Sequence, residues 1–356
     1  MCGIAGIFRS EAWAAPEVAS LQPVLAAMGD RMLHRGPDDG GTWIEAGAYV
    51  GLSHRRLSIV DLSAAGHQPM SSWDDRYIVA FNGEIYNFLE LRPELEAGGA
   101  RFRTRTDTEV LIEAVRAWGL ETALERFDGM FAFALYDRHT HELMLARDPF
   151  GEKPLYTMMR AGELAFASEL TALRELPWFD DTCDEDALAE YLCFQYIGAP
   201  RSLYRSVQKL PPGHYARIRP GEDLKITRYF AFHPYGVEGE AQLSEELVDE
   251  LEEILCRSLR RRLISDVPLG AFLSGGVDSS TVAALATRKL GVPLRTYSIG
   301  FEGAPESEHL IARRFAEHLG TEHHERMVTP DASRFLHEAG RHLDEPNGDT
   351  SCLPTY

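Results

Sequence analysis

The stretch FLSGGVDSS, residues 272–280, lies between the apolar run VPLGAFL and the helical pattern STVAALATRKL. It reads as a strand, a glycine turn and a helix. Adjacent Gly275 and Gly276 let the backbone approach a ligand closely, the amides of a helix N-terminus face it, and Ser274, Ser279 and Ser280 add hydroxyl donors. Such a place suits pyrophosphate. The string is neither GxxxxGK[ST] nor GxGxxG, and Phe272 stands where a GxSxG nucleophile elbow needs glycine. Out of context it would be a glycine turn with a serine helix cap. Moving outward, LRTYSIGF and EHHERMVT are further β-rich runs, each paired with a helical pattern, which gives the βαβ rhythm of a parallel sheet. His323, His324 and Glu325 read as ordinary strand residues, because neighbours on a strand point to opposite faces. Upstream, SEELVDELEEILCRSLRRRLI from residue 244 sets Leu247, Leu251, Ile254, Leu255, Leu259 and Leu263 on one helical stripe. Acidic residues crowd its first turns, and the Arg260–Arg262 run reads as its solvated end.

The chain before residue 230 has a different character. Short apolar runs separated by turn signals (MCGIAGIF, AYVGLSH, YIVAFNGEIYN, MFAFALYD and LAFASE) predict strands. Helical spacing appears near residues 20–33 and in TEVLIEAVRAWG. This order suggests layered sheets rather than a doubly wound fold. Residues 231–243 are rich in turn and polar residues and read as a linker, which divides the chain into 2–230 and 244–356.

Composition narrows the function. A formal net charge of −19, from 36 basic and 55 acidic residues, argues against nucleic acid as a partner. The five cysteines are few, odd in number and without metal-ligand spacing, so neither disulfides nor structural zinc are expected and a reducing cytoplasm is. Arg9 and Glu11 leave no room for an apolar leader, and no apolar stretch is long enough to span a membrane.

The opening MCGIAGIF places Cys2 directly behind Met1. Cys2 is either a small buried residue at a strand start or, once Met1 is removed, a residue carrying both a thiol and a free α-amine. The rest of the chain bears on the choice. FLSGGVDSS looks like the PP-loop of ATP pyrophosphatases, and a known family joins that loop to an N-terminal glutaminase. The chain resembles the glutamine-hydrolysing asparagine synthetases over essentially its whole length. The resemblance rests on MCGIAGIF, HRGPDD (34–39), HRRLSIVDL (54–62), FNGEIYN (81–87), TRTDTEVL (104–111), RDPFGEKPLY (147–156), KLPPGH and FLSGGVDSS, in order and in register.

The resemblance implies an α+β N-terminal αββα sandwich of the N-terminal-nucleophile hydrolase type at 2–230. It implies an α/β parallel-sheet PP-loop ATP pyrophosphatase domain, partial, at 244–356. Cys2 becomes the nucleophile, with its own α-amine as base. That amine titrates near pH 7.7–8.0, so it can accept the thiol proton near neutrality. By the same match, Asn82 and the Gly83 N–H stabilise the oxyanion, although Asn-Gly alone would read as a hairpin turn. Arg56 meets the glutamine α-carboxylate, Glu84 and Asp107 take its ammonium, and Leu57, Ser58, Ile59 and Val60 line the pocket. Ser274, Gly275, Gly276, Val277, Asp278, Ser279 and Ser280 cradle ATP phosphates, Leu273 and Ile299 hold adenine, and Asp278 is the candidate Mg²⁺ ligand.

The implied reaction hydrolyses glutamine, passes ammonia to an aspartyl adenylate made from aspartate and ATP, and yields asparagine, AMP, pyrophosphate and glutamate. The expected partners are these small molecules, with a homodimer left open. Alternatives are an amidotransferase for a sugar or natural-product carboxylate, a glutaminase-only fragment, or a non-catalytic ATP-binding module. In the family a second phosphate and metal loop follows the region matching DEPNGDTSCLPTY. The 356 residues are therefore expected to release glutamate from glutamine without completing the synthetase step, whether as a fragment, an early stop or half of a split enzyme.

Overall fold

Strand β1 (Gly3–Phe8) is buried along its whole length. Ile4 and Phe8 enter one apolar cluster while Ala5 and Ile7 enter another, so the strand is covered on both faces. The computed structural model describes residues 1–232, 244–301, 308–329 and 343–349, which fall into two compact units. The first holds residues 1–232 together with 343–349.

After β1 come α1 (Ala15–Asp30), β2 (Asp39–Trp43), β3 (Val50–Arg56), β4 (Met70–Ser71) and β5 (Tyr77–Ile85). Next are α2 (Phe88–Ala97), α3 (Asp107–Trp118), α4 (Leu120–Arg126), β6 (Gly129–Asp137), β7 (Glu142–Arg147), β8 (Tyr156–Arg160) and β9 (Glu163–Ala167). The unit continues with α5 (Leu170–Leu173), α6 (Glu185–Phe194), β10 (Val207–Lys209), β11 (His214–Ile218) and β12 (Lys225–Arg228). Two antiparallel sheets result, in the orders β10-β8-β9-β1-β3-β2 and β12-β11-β7-β6-β5-β4.

Their facing sides share one core. Ile4, Phe8, Val50 and Leu52 of the first sheet meet Ala80, Ala132, Ala134 and Leu145 of the second. On the outer side of the first sheet, Ala5 and Ile7 pack against Leu25 and Met28 of α1 and Leu170 and Leu173 of α5. Helix α3 covers β5 on the other side, and its buried residues run from Asp107 to Val115. The layers are helix, sheet, sheet and helix, as the sequence led us to expect. The helix expected near 20–33 starts earlier, at Ala15, where a proline in the first turn suits a helix N-terminus.

Residues 343–349 belong to this unit although their sequence lies within 244–356. The Asp344 Oδ1 accepts from the Thr171 N–H at 3.2 Å, Glu345 accepts from the Leu203 N–H at 2.9 Å, and Lys209 pairs with Glu345 at 2.5 Å.

The described part of the second unit contains α7 (Glu245–Arg262), β13 (Gly270–Phe272), α8 (Val277–Ala284), β14 (Arg295–Phe301), α9 (His309–Leu319) and β15 (Glu322–Val328). The three strands pair in parallel in the order β13-β14-β15. Leu273, Ala283, Ala286, Leu294, Ala312 and Ala316 form its core. The apolar stripe of α7 is largely exposed among the described residues: Leu247, Leu251 and Ile254 face outward and Cys256 is buried. His323 and His324 do take opposite faces of β15. The first hydrogen-bonds Thr296 at 2.8 Å, and the second stacks on Tyr297 at 5.1 Å. Most of the stretch read as a linker, 233–243, lies outside the described residues.

Candidate active site

Cys2 precedes β1 with the same parity as Ile4, so its side chain points to the facing side of the sheet rather than to α1. The Leu57 N–H approaches Sγ at 3.4 Å, and the thiol lies 3.8 Å from the Leu57 carbonyl. Arg35 Nε donates to the Cys2 carbonyl at 2.9 Å, and Arg35 is itself paired with buried Glu169 at 3.0 Å. The Cys2 main chain is thereby fixed. Burial pushes the Cys2 thiol up, against a smaller opposing effect of the Leu57 N–H. A thiol raised in this way needs a base to become a nucleophile.

On β3 the same alternation sends Leu52, His54 and Arg56 inward. Arg56 is buried and donates to the carbonyls of Ser63 at 3.2 Å, Val60 at 3.3 Å and Asp61 at 2.6 Å, so it shapes the loop beside the cavity. A Cβ on Gly66 would come within 2.0 Å of the guanidinium, which explains the glycine there.

On β5, Asn82 is fully buried and neither atom of its side-chain amide has a hydrogen-bond partner among the described residues. A buried, unpaired amide is costly, which marks a group built to meet something else. Gly83 follows, where a Cβ would meet the Met130 carbonyl at 2.2 Å. Strand alternation puts the N–H groups of Phe81, Gly83 and Ile85 on one edge, and those of Phe81 and Ile85 are taken by Gln68 and Asp107. The Gly83 N–H lies between them and faces the cavity.

Asp107 opens α3, where the helix N-terminus favours a carboxylate. Its Oδ2 accepts from Ile85 N–H at 2.9 Å. Burial, reinforced by neighbouring Glu84, pushes its pKa up to about 7.

These groups surround one cavity of about 120 Å³, lined by Cys2, Arg56, Leu57, Ile59, Val60, Asn82, Gly83, Glu84 and Asp107. Ser58 does not line it and donates its amide to Asp38 at 2.8 Å. Sequence reasoning missed Lys153, Gln68, Phe81, Thr106, Thr108 and Met130, which line it too. Lys153 is buried, burial lowers its pKa, and its Nζ lies 3.1 Å from Met1 Sδ. The only signal was its place in RDPFGEKPLY, a quoted motif in which the lysine was not singled out.

In the second unit, Leu273 ends β13, with its N–H bonded to the Tyr297 carbonyl at 2.8 Å. Gly275 takes φ +82°, and a Cβ there would lie 2.9 Å from the Ala312 nitrogen. Gly276 caps α8, the Ser274 and Ser279 hydroxyls hold each other at 3.0 Å, and buried Ser280 Oγ has no partner. Val277 and Asp278 are exposed in the first turn, and Ile299 lies near the C-terminal end of β14. The loop and Ile299 thus share the carboxyl ends of the strands, where open α/β sheets bind ligands. Hydroxyl oxygens and one free carboxylate beside a phosphate loop are hard donors that fit Mg²⁺. Among the described residues no group of three or more His, Cys, Asp or Glu side chains is placed to hold a metal ion.

The profile described as glutamine amidotransferase domain matches residues 1–230, and that described as asparagine synthase matches residues 250–356. A putative glutamine-hydrolysing asparagine synthetase 2 of Methanocaldococcus jannaschii is 33% identical across all of this chain, which spans 70% of that relative. The chain belongs to the glutamine-hydrolysing asparagine synthetase family. Within it, asparagine synthetase 1 of Bacillus subtilis is 38% identical over the whole chain and a putative member from Mycobacterium bovis 41%. The chain spans 55% and 56% of the lengths of those two family members. A solved glutamine phosphoribosylpyrophosphate amidotransferase from B. subtilis covers 95% of this synthetase-family chain and 70% of its own, at 18% identity and a TM-score of 0.47.

Proposed function

We propose that the first unit hydrolyses glutamine at Cys2 and that the ammonia serves an ATP-dependent amidation of aspartate. The observation that carries the first half is the buried Asn82 amide, unpartnered and beside the Gly83 N–H in the cavity that holds Cys2.

After removal of Met1, the Cys2 α-amine takes the thiol proton and Sγ attacks the carbonyl carbon of the glutamine side-chain amide, Cδ. The carbonyl electrons move onto oxygen, which receives hydrogen bonds from Asn82 Nδ2 and Gly83 N. The α-ammonium returns the proton to the leaving nitrogen, ammonia departs, and water hydrolyses the γ-glutamyl thioester to glutamate. Arg56 meets the substrate carboxylate, and Glu84 and Asp107 meet its ammonium. Leu57, Ile59 and Val60 form the wall beside the thiol.

The second half rests on the asparagine synthase match and on the loop at 274–280. ATP phosphates are received by the amides and hydroxyls of Ser274 to Ser280, the adenine by the backbone of Leu273 and Ile299, and Mg²⁺ by Asp278 together with phosphate oxygens. Mg²⁺ held by Asp278 would supply neutralisation of the phosphate charge. The few, unpaired cysteines and the biosynthetic names of the relatives support a cytoplasmic setting.

Purified protein incubated with glutamine tests the first half by glutamate release. Aspartate-dependent AMP formation from ATP tests the second, and AMP formed with a different carboxylate in place of aspartate would move the acceptor to a sugar or natural product.

A further inference from the structure

Strand β4 consists of Met70 and Ser71, which pair with Val79 and Ile78. Continuing that register backward would set Pro69 beside Ala80 and Gln68 beside Phe81, but proline has no N–H with which to extend a ladder. Since β4 is the outermost strand, the edge of β5 beyond Val79 has no strand beside it among the described residues. Two side chains stand where the next rung would be. Gln68 Oε1 accepts from the Phe81 N–H at 2.8 Å, and His54 Nε2 donates to the Phe81 carbonyl at 2.9 Å. Gln68 Nε2 is held in turn by Thr108 Oγ1 at 3.3 Å. His54 is 1% exposed and Gln68 4%, and His54 Nδ1 has no hydrogen-bond partner among the described residues. The fold tolerates an unsatisfied ring nitrogen in its interior to retain the one N–H that reaches Phe81.

We propose that His54 and Gln68 are positioning residues for glutamine hydrolysis, gripping both main-chain groups of Phe81 so that the next two residues, Asn82 and Gly83, keep their donors aimed at the oxyanion. This rests on the glutaminase reading above. The edge is tied again only at the Ile85 N–H, by Asp107 at 2.9 Å, so the oxyanion donors hang between two tethers. The inner edge of β5 is paired with β6 from Tyr77 to Ile85, and that ladder keeps the strand folded when one outer tether is lost. What the tether controls is therefore placement, and misplacement of reacting groups by about 1 Å costs on the order of 10²-fold in rate.

The test uses the full chain. His54→Leu and Gln68→Leu are expected to lower kcat for glutamate release by about 10- to 100-fold, with KM for glutamine and inhibition by glutamate held within about twofold. His54→Gln, whose amide can donate to the same carbonyl, is expected to recover most of the lost kcat. The proposal is overturned if the two leucine variants keep wild-type kcat, if KM rises as far as kcat falls, or if His54→Gln melts like wild type and is no more active than His54→Leu. Should His54→Leu fail to fold, Gln68→Leu, which removes the acceptor for the Phe81 N–H and the donor to Thr108 Oγ1, decides alone. A wild-type chain that releases no glutamate overturns the glutaminase reading itself, a different result from an active wild type with unaffected variants.

Discussion

On the proposed reading, Asp107 carries the pH dependence of glutamine binding. Its carboxyl, pushed up to about 7 by burial beside Glu84, pairs with the substrate ammonium only when ionised. As pH falls through about 7 the acid takes up a proton, so kcat/KM for glutamine should decline by up to about tenfold per unit. Asp107→Asn should weaken glutamine binding at every pH and flatten that profile. Asn82→Ala should instead lower kcat by about 10²–10³-fold with little change in KM, because its contact forms in the transition state. Steady-state kinetics across pH 5–9 separates the two, and an exchanged pattern would exchange their roles. Cys2→Ala should abolish glutamate release without altering the melting curve; retained turnover would refute the mechanism. His54 makes an independent prediction. Burial lowers it from 6.5 to about 4, so the folded state holds the neutral ring. A lowered folded pKa contributes stability that is complete above 6.5 and lost as pH falls toward about 4. Melting temperature in that window should fall less steeply for His54→Gln than for wild type.

Among the elements of the second unit, the turn into α8 depends on Gly275. A side chain there meets both a positive φ and the α9 backbone, and the positive φ alone costs about 1–2 kcal/mol. Gly275→Ala should abolish ATP binding, read by calorimetry, while leaving glutamate release intact; unchanged ATP affinity would show that the loop does not need this shape. The loop was legible in the sequence because its glycines, serines and flanking strand and helix are local signals. Strands β1 and β5 were legible for the same reason. Helices α2 and α6 were not singled out. In α6 only Ala187 is buried, so the helix lacks the apolar stripe that periodicity detects, and Asp184 starts it by capping the Asp186 and Ala187 amides. The His54 contact was illegible because it joins β3 to a residue 27 positions away across the sandwich. Lys153 reaches the cavity only when the loop after β7 folds back, which no local pattern encodes.

At the scale of the whole molecule, the first unit is built from two separate stretches of chain. Burial and the nearby Glu169 raise Asp344 to about 7, so its docking against the Thr171 amide is strongest at low pH and is lost as pH rises through about 7. Hydrogen exchange at the Thr171 amide, corrected for its intrinsic rate, should quicken as pH rises from 3.8 to about 7 and level off above that, and Asp344→Asn should remove that dependence. The family profiles meet between residues 230 and 250, yet the material boundary of the unit does not coincide with them. A ribosome makes residues 1–232 first, and by then both sheets and their covering helices can close. Lys209 and the Leu203 amide must then wait for Glu345, 142 residues after Leu203, before their last partner arrives. The first unit is therefore assembled early in synthesis and sealed late, with most of the other domain emerging in the interval.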